Sequence, residues 1–290
     1  MSGLPIASIA CALLAALLFA CAAVAQQSAA AAVPEGSSLV TGILRSPRWW
    51  AGLIGDGGGY AMQVAALALG SVLVVQPILV CSLVFALPLA ARFAGRRINA
   101  RTWLLAGALV AALGVFLVVG DPTEGNSDAP LGDWVLPLAI LVGVVVAATV
   151  AGLSRIEAHW RALLLGAASG LLYGLAAAVT KYVTDLFSDG LGAVLTSWQT
   201  YTLVAAGAAG VFLQQKAFQV GPISASLPAV TIAEPLGAIF VGMAVLDERL
   251  RTGDLGLAAT ILAVVVMLAT ALALSRSQVD AAEGANSAKN

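Results

Sequence analysis

Two carboxylates stand in stretches that water should not reach. Glu234 lies inside the apolar run Gly221–Leu250, GPISASLPAVTIAEPLGAIFVGMAVLDERL, in company with Pro228, Thr231 and Pro235. Asp56 lies in Gly55-Asp56-Gly57-Gly58-Gly59, close to the middle of another stretch that Pro47 and Trp49-Trp50 open. An ionisable side chain at mid-span costs several kcal/mol unless it faces protein, water or a bound cation. At ~1.5 Å per residue neither group is within ~10 Å of a span end, so side chains this short cannot reach the interface. Glu234 and Asp56 are therefore the candidates for ligating a cation or carrying a proton. Gln63, Gln76, Thr231 and Gln199 are the candidates for neutral polar lining of a midplane cavity, and no metal is assigned to the set. Pro77, Pro228 and Pro235 are expected to kink their helices. A structural alternative stands beside this for Glu234, in which a protonated carboxyl bonds a carbonyl that Pro235 leaves without its N–H. The glutamines read equally well as hydrogen-bonding groups between helices.

Other chemistry finds little support. Cys11, Cys21 and Cys81 sit in apolar runs without CxxC spacing, and His159 is a lone histidine in a charged loop. No nucleophile is paired with a base, so an enzyme is not expected and no cofactor is implied. The glycine cluster around Asp56 lacks the Lys-Ser/Thr of a phosphate loop and no strand precedes it.

The elements that must position these residues are membrane spans. At 290 residues, 60% hydrophobic and 10% charged, with mean hydropathy +0.97, the chain has too little polar surface to coat a soluble globule. The fold class expected is all-α and polytopic, in contact with a lipid bilayer. A net charge of −1 and basic residues scattered through short loops imply no nucleic-acid partner. The excess of arginine over lysine suits a GC-rich bacterial coding sequence, and the location expected is the cytoplasmic membrane. A homodimer is left open as an assembly.

Nine spans of about 20 residues are expected: Leu4–Val24, Arg48–Leu67, Gly70–Phe93, Thr102–Val119, Trp134–Gly152, Ala162–Val183, Val194–Leu213, Pro222–Leu246 and Leu255–Leu274. The first resembles a secretory signal at Ala23-Val24-Ala25 but lacks a basic n-region, and is read as a retained helix. Residues 275–290 are polar and expected to be disordered. Basic residues favour the cytoplasmic side, and loops must alternate sides. Placing Arg92–Arg101 inside leaves only Lys181, Arg249 and Arg251 outside, three against eleven of the 14 basic residues. The N-terminus is thus expected outside and the C-terminus in the cytoplasm. Asp247 and Glu248, at a span end outside, are expected to be solvated.

The chain also reads as duplicated. Gly70 pairs with Gly221 and Pro77 with Pro228 at one separation of 151 positions (221 − 70 and 228 − 77). Leu17–Gln27, LLFACAAVAQQ, matches Leu171–Lys181, LLYGLAAAVTK, and Gln63 pairs with Gln215. Residues 1–119 form a first four-span repeat, 120–161 an acidic loop, a linking span and a short loop, 162–274 a second repeat and 275–290 the tail. One linking span between four-span units turns the second upside down relative to the first. Inverted repeats of this kind are a recurrent architecture of secondary transporters, with the substrate site between them at the midplane.

These residues resemble the drug/metabolite transporter superfamily in its EamA-like branch, with features of the NIPA-like magnesium transporters. The resemblance is carried by Gly166–Lys181, by Gln214–Leu250 with its Asp247-Glu248-Arg249-Leu250 ending, and by Trp49-Trp50-Ala51-Gly52 with the later Val75-Gln76-Pro77. It implies a secondary active transporter that moves a small metabolite, drug or ion by alternating access. A magnesium or divalent-cation transporter is the alternative, with Asp56 nearest to the acidic residue of the NIPA-like second span. The first-helix glutamate of the four-span multidrug exporters has no counterpart in Ala10–Gln27. The family commonly has ten spans, against nine counted here. A non-transporting membrane scaffold or helper is the reading from another class.

Overall fold

A computed structural model describes residues 5–31, 45–93, 97–123, 125 and 129–287. Leu4 of the first expected span, Arg96 of the basic loop, Glu124 and Asn126–Asp128 of the acidic loop, and 288–290 of the tail lie outside the described residues. No strand occurs among the described residues; the chain is all-helical, with one isolated antiparallel bridge between Pro122 and Leu250.

Helix α1 spans Ile6–Ala31, a run of alanine and leucine with no breaker inside it. Helix α2, Pro47–Ala68, starts with proline at its first turn, where a missing N–H costs nothing. It returns alongside α1, and the Ser8 hydroxyl near the start of one helix donates to the Ala66 carbonyl near the end of the other at 2.8 Å. Next come α3, Val72–Leu79, and α4, Ser82–Phe93, where the sequence suggests one unbroken span over Gly70–Phe93. The chain tightens between them: the Cys81 N–H donates to Ile78 O at 2.9 Å and the Leu83 N–H to Val80 O at 3.1 Å. Pro77 and Pro88 flank this turn, each removing one helical N–H, so the ladder on either side is weak. Helix α5, Ala100–Gly120, is capped by the Asn99 side chain on the Arg101 N–H.

Helix α6, Leu131–Leu153, is the span expected to link the repeats, and residues later in the chain hold it at both ends. Buried Trp134 at its start meets Tyr182 and Trp198 edge to face, at 5.9 and 5.1 Å. At its other end the Arg161 Nε–H donates to Gly152 O at 3.2 Å. Helix α7 is Ala158–Leu186, and a short α8, Leu191–Thr196, precedes α9, Trp198–Val220. The seventh span thus begins at Trp198 and not Val194: the chain is extended at Ser197, whose hydroxyl caps α9 on the Thr200 N–H. Helix α10, Ile223–Ala244, runs on through both Pro228 and Pro235. Helix α11 is Asp254–Ser287, so the tail expected to be disordered from Ser275 is helical as far as Ser287. An established helix propagates easily into a stretch rich in alanine, which explains the extension.

Seven spans among the described residues are long and apolar enough to cross a membrane, α3 and α4 counting as one, and the chain is a multi-pass membrane protein. The sequence-based count of nine differs by α2 and α9. These are 22 and 23 residues long but too polar to qualify, through Asp56 and its glycines in one and Gln199, Gln214, Gln215, Lys216 and Gln219 in the other.

Candidate functional site

The two carboxylates are held by different neighbours and do not meet. Asp56, half-buried on α2, accepts a hydrogen bond from the Gln26 amide of α1 at 2.5 Å. One turn on, the Tyr60 hydroxyl lies 3.3 Å from that of Thr180 on α7, a contact between the two halves of the chain. Helices α2 and α10 share no extensive packing; each packs on α7 instead.

Glu234, on α10, is half-buried. Among the described residues its carboxylate takes no hydrogen bond. The carbonyl that Pro235 deprives of its N–H belongs to Thr231, and Glu234 does not bond it. That removes the observation on which the structural alternative would rest. What lies close is Tyr173, within reach of the Glu234 charge, whose hydroxyl donates to Gln214 Oε1 at 2.9 Å. Tyr173 and Gln214 thus form a hydrogen-bonded pair between α7 and α9, with Glu234 of α10 on the tyrosine side. The sequence signal for Tyr173 is the match of Leu17–Gln27 to Leu171–Lys181, but nothing there says which face of α7 the ring takes.

Glycines bring α7 and α10 together. A Cβ on Gly166 would stand 2.6 Å from Ser226 O, one on Gly170 2.5 Å from Val230 O, and one on Gly174 2.6 Å from Ala238 N and against Glu234 O. Residues four apart on one helix face residues four apart on the other, the small-residue packing that lets backbones touch where no hydrophobic drive operates. This stripe fixes the height of Glu234 relative to Tyr173.

The other candidates scatter. Gln76 is 2% exposed on α3, and its Nε2 has no hydrogen-bond partner among the described residues. Gln63 is buried on α2, and Gln199 is buried in the first turn of α9. The Thr231 hydroxyl is used within α10, donating to Leu227 O at 2.9 Å. Thr231 and Pro235 face Pro77 and Val80 across an apolar cavity of about 20 Å³, closed by Val264 and Met267 of α11. The break between α3 and α4 therefore borders the face of α10 next to that of Glu234, in a space with room for about one water. Among the described residues no group of three or more histidine, cysteine, aspartate or glutamate side chains could hold a metal ion.

The expectation that Glu248 is solvated is overturned. It is 1% exposed, and its carboxylate accepts the Val72 N–H at 2.7 Å and the Leu73 N–H at 2.8 Å. Asp247 takes a left-handed φ of 52°, and the Glu248 N–H donates to Gly242 O at 3.1 Å, turning the side chain back into the bundle. The first turn of a helix has N–H groups without partners, and an apolar stretch that starts a helix at Val72 is the signal that something must satisfy them.

No family model matches the chain, and no solved structure matches it. An uncharacterized protein of Corynebacterium glutamicum is 38% identical over 272 residues, which cover 92% of this chain and 93% of that protein. Likeness of this extent along nearly the whole of both chains makes this protein a member of the same family as its corynebacterial relative.

Proposed function

We propose that the protein is a secondary active transporter of the drug/metabolite transporter type, built of nine spans in two inverted repeats and moving a small metabolite, drug or ion by alternating access. The observation that carries this is a set of contacts that recur at the repeat separations. Phe19 of α1 packs on Gly59 of α2, where a Cβ would stand 2.7 Å from its ring, and Tyr173 of α7 packs on Gly210 of α9 at 2.8 Å. Phe19 and Tyr173 are 154 positions apart (173 − 19), as Leu17 and Leu171 are in the matched segments, and Gly59 and Gly210 are 151 apart (210 − 59), as Gly70 and Gly221 are. The same shifts relate Ser8 against Gly70 to Ala162 against Gly221. Ser8–Gly70 lies at the Asp121 end of the bundle and Ala162–Gly221 at the Arg155 end, which favours inversion. Between the halves, elements meet their own counterparts: α3 packs on α10 and α5 on α11. The two helices too polar for the apolar count, α2 and α9, are also counterparts, and polar helices at matched positions are where a transporter keeps its substrate path.

Glu234 is the coupling group in this reading, and the Tyr173 hydroxyl is its polar neighbour. A divalent-cation route would have to bring Asp56 to Glu234, and their helices do not pack together here. The basic split puts the Arg155 end in the cytoplasm and the Asp121 end outside. The test is substrate accumulation in a deletion strain and then flux into membrane vesicles. Glu234→Gln should express and melt like the parent and lose transport; parental flux across neutral pH would remove Glu234 from the mechanism.

A further inference from the structure

Among the described residues, the two ends of the bundle are not closed alike. Glu248 belongs to the second half, and the α3 amides it accepts from belong to the first, so this buried carboxylate ties the halves together at the Asp121 end. Around it, the Thr123 N–H donates to Arg249 O at 2.8 Å and the Arg251 N–H to Asp121 O at 3.3 Å. Leu73 packs on Gly242 just beneath. The repeat relation that pairs Arg97 with Arg249 pairs Arg96 with Glu248, and a guanidinium cannot accept an N–H. Among the described residues the first turn of α10, the counterpart of α3, has no side-chain cap. At that opposite end, among the described residues, α4 packs on α1, with no comparable packing on α10.

We propose that Glu248 is a one-sided latch: its carboxylate on the α3 amides holds the halves shut at the Asp121 end, so that the protein rests sealed there and open toward the Arg155 end. Opening the sealed end then requires breaking two charge-assisted hydrogen bonds together and leaving two N–H groups without partners. The inference rests on the transporter reading for its purpose, but the latch itself is defined without transport.

The experiment is labelling by an impermeant maleimide, applied to intact cells and to inside-out vesicles, in a background with Cys11, Cys21 and Cys81 replaced. Leu73→Cys, buried beneath the latch, should label slowly from the Asp121 end, and Glu248→Ala should speed that labelling at least tenfold. Leu227→Cys, on the α10 turn toward the Arg155 end, should label from that end and slow when Glu248 is replaced. Ser71→Ala is the control, because Ser71 caps the same helix on the Val74 N–H from within its own half; it should leave both rates unchanged. Should Glu248→Ala fail to fold, Glu248→Gln, which keeps the size and one acceptor, is read in the same way. Unchanged rates in a folded Glu248 variant, or equal acceleration by Ser71→Ala, would reduce Glu248 to an ordinary helix cap and overturn the proposal. Labelling as expected without flux of any substrate would instead sink the transporter reading and leave the latch standing.

Discussion

On the proposed repeat Val72–Phe93 and Ile223–Ala244 are counterparts, and they end up different. Val72–Phe93 is cut in two at Val80–Cys81, whereas Ile223–Ala244 runs unbroken although it holds two prolines as well. The difference lies in the helix each packs against. Gly166, Gly170 and Gly174 of α7 correspond to Ala12, Ala16 and Ala20 of α1 at the 154-position shift, and all three alanines are buried. Glycine lets α7 lie against the backbone of α10 along its length and hold the helix together across missing N–H groups. A methyl at each of those sites keeps α1 from doing the same for α3 and α4. Proline content alone does not break a span; proline without close support does.

The largest effect expected from this comparison is at Gly174. Gly174→Leu sets a side chain against Glu234 O and Ala238 N, backbone atoms that cannot move aside, and should cost more than ~3 kcal/mol. Its counterpart Ala20→Gly should cost about 1 kcal/mol or less, through helix propensity. Thermal melting in one detergent compares them, and equal losses would dissolve the distinction between the halves. Smaller and matched effects are expected where the halves agree. Gly59→Ala and Gly210→Ala each force an aromatic ring 2.7–2.8 Å away to move aside, and both should cost about 1–3 kcal/mol. A large mismatch between them would argue that the Phe19 and Tyr173 contacts are unrelated. The smallest effect is Tyr173→Phe, which makes α7 resemble α1 and removes the bond to Gln214, a loss of about 1 kcal/mol in stability. Transport should fall further than stability does, since the hydroxyl lost is the polar group nearest Glu234.

Much of this is legible in the sequence. The spans, the short basic loops and the recurrence of Gly70 and Pro77 at Gly221 and Pro228 depend on local composition, which a single chain displays directly. Asp56 and Glu234 stand out because a carboxylate in an apolar run is costly wherever its neighbours lie. What is hidden depends on partners remote in the chain. The burial of Glu248 is set by α3 amides 175 and 176 positions away. The break at Val80–Cys81 is set by what α1 and α10 offer, and the attachment of α6 by Tyr182 and Trp198. The helical stretch beyond Ser275 is hidden for another reason: its composition is polar, and its helicity comes from the apolar helix that feeds into it.

The central claim is the proposal that the second half is an inverted copy of the first, and side-specific labelling of the short segments before α3 and α10 tests it most directly. Leu69, just before α3, and Pro222, just before α10, are both exposed and are counterparts within two positions. Single cysteines there, in the cysteine-free background, should label from opposite faces of the membrane: Leu69→Cys in intact cells and Pro222→Cys only in inside-out vesicles. Labelling of both from the same face would contradict the inverted repeat and the alternating-access reading built on it.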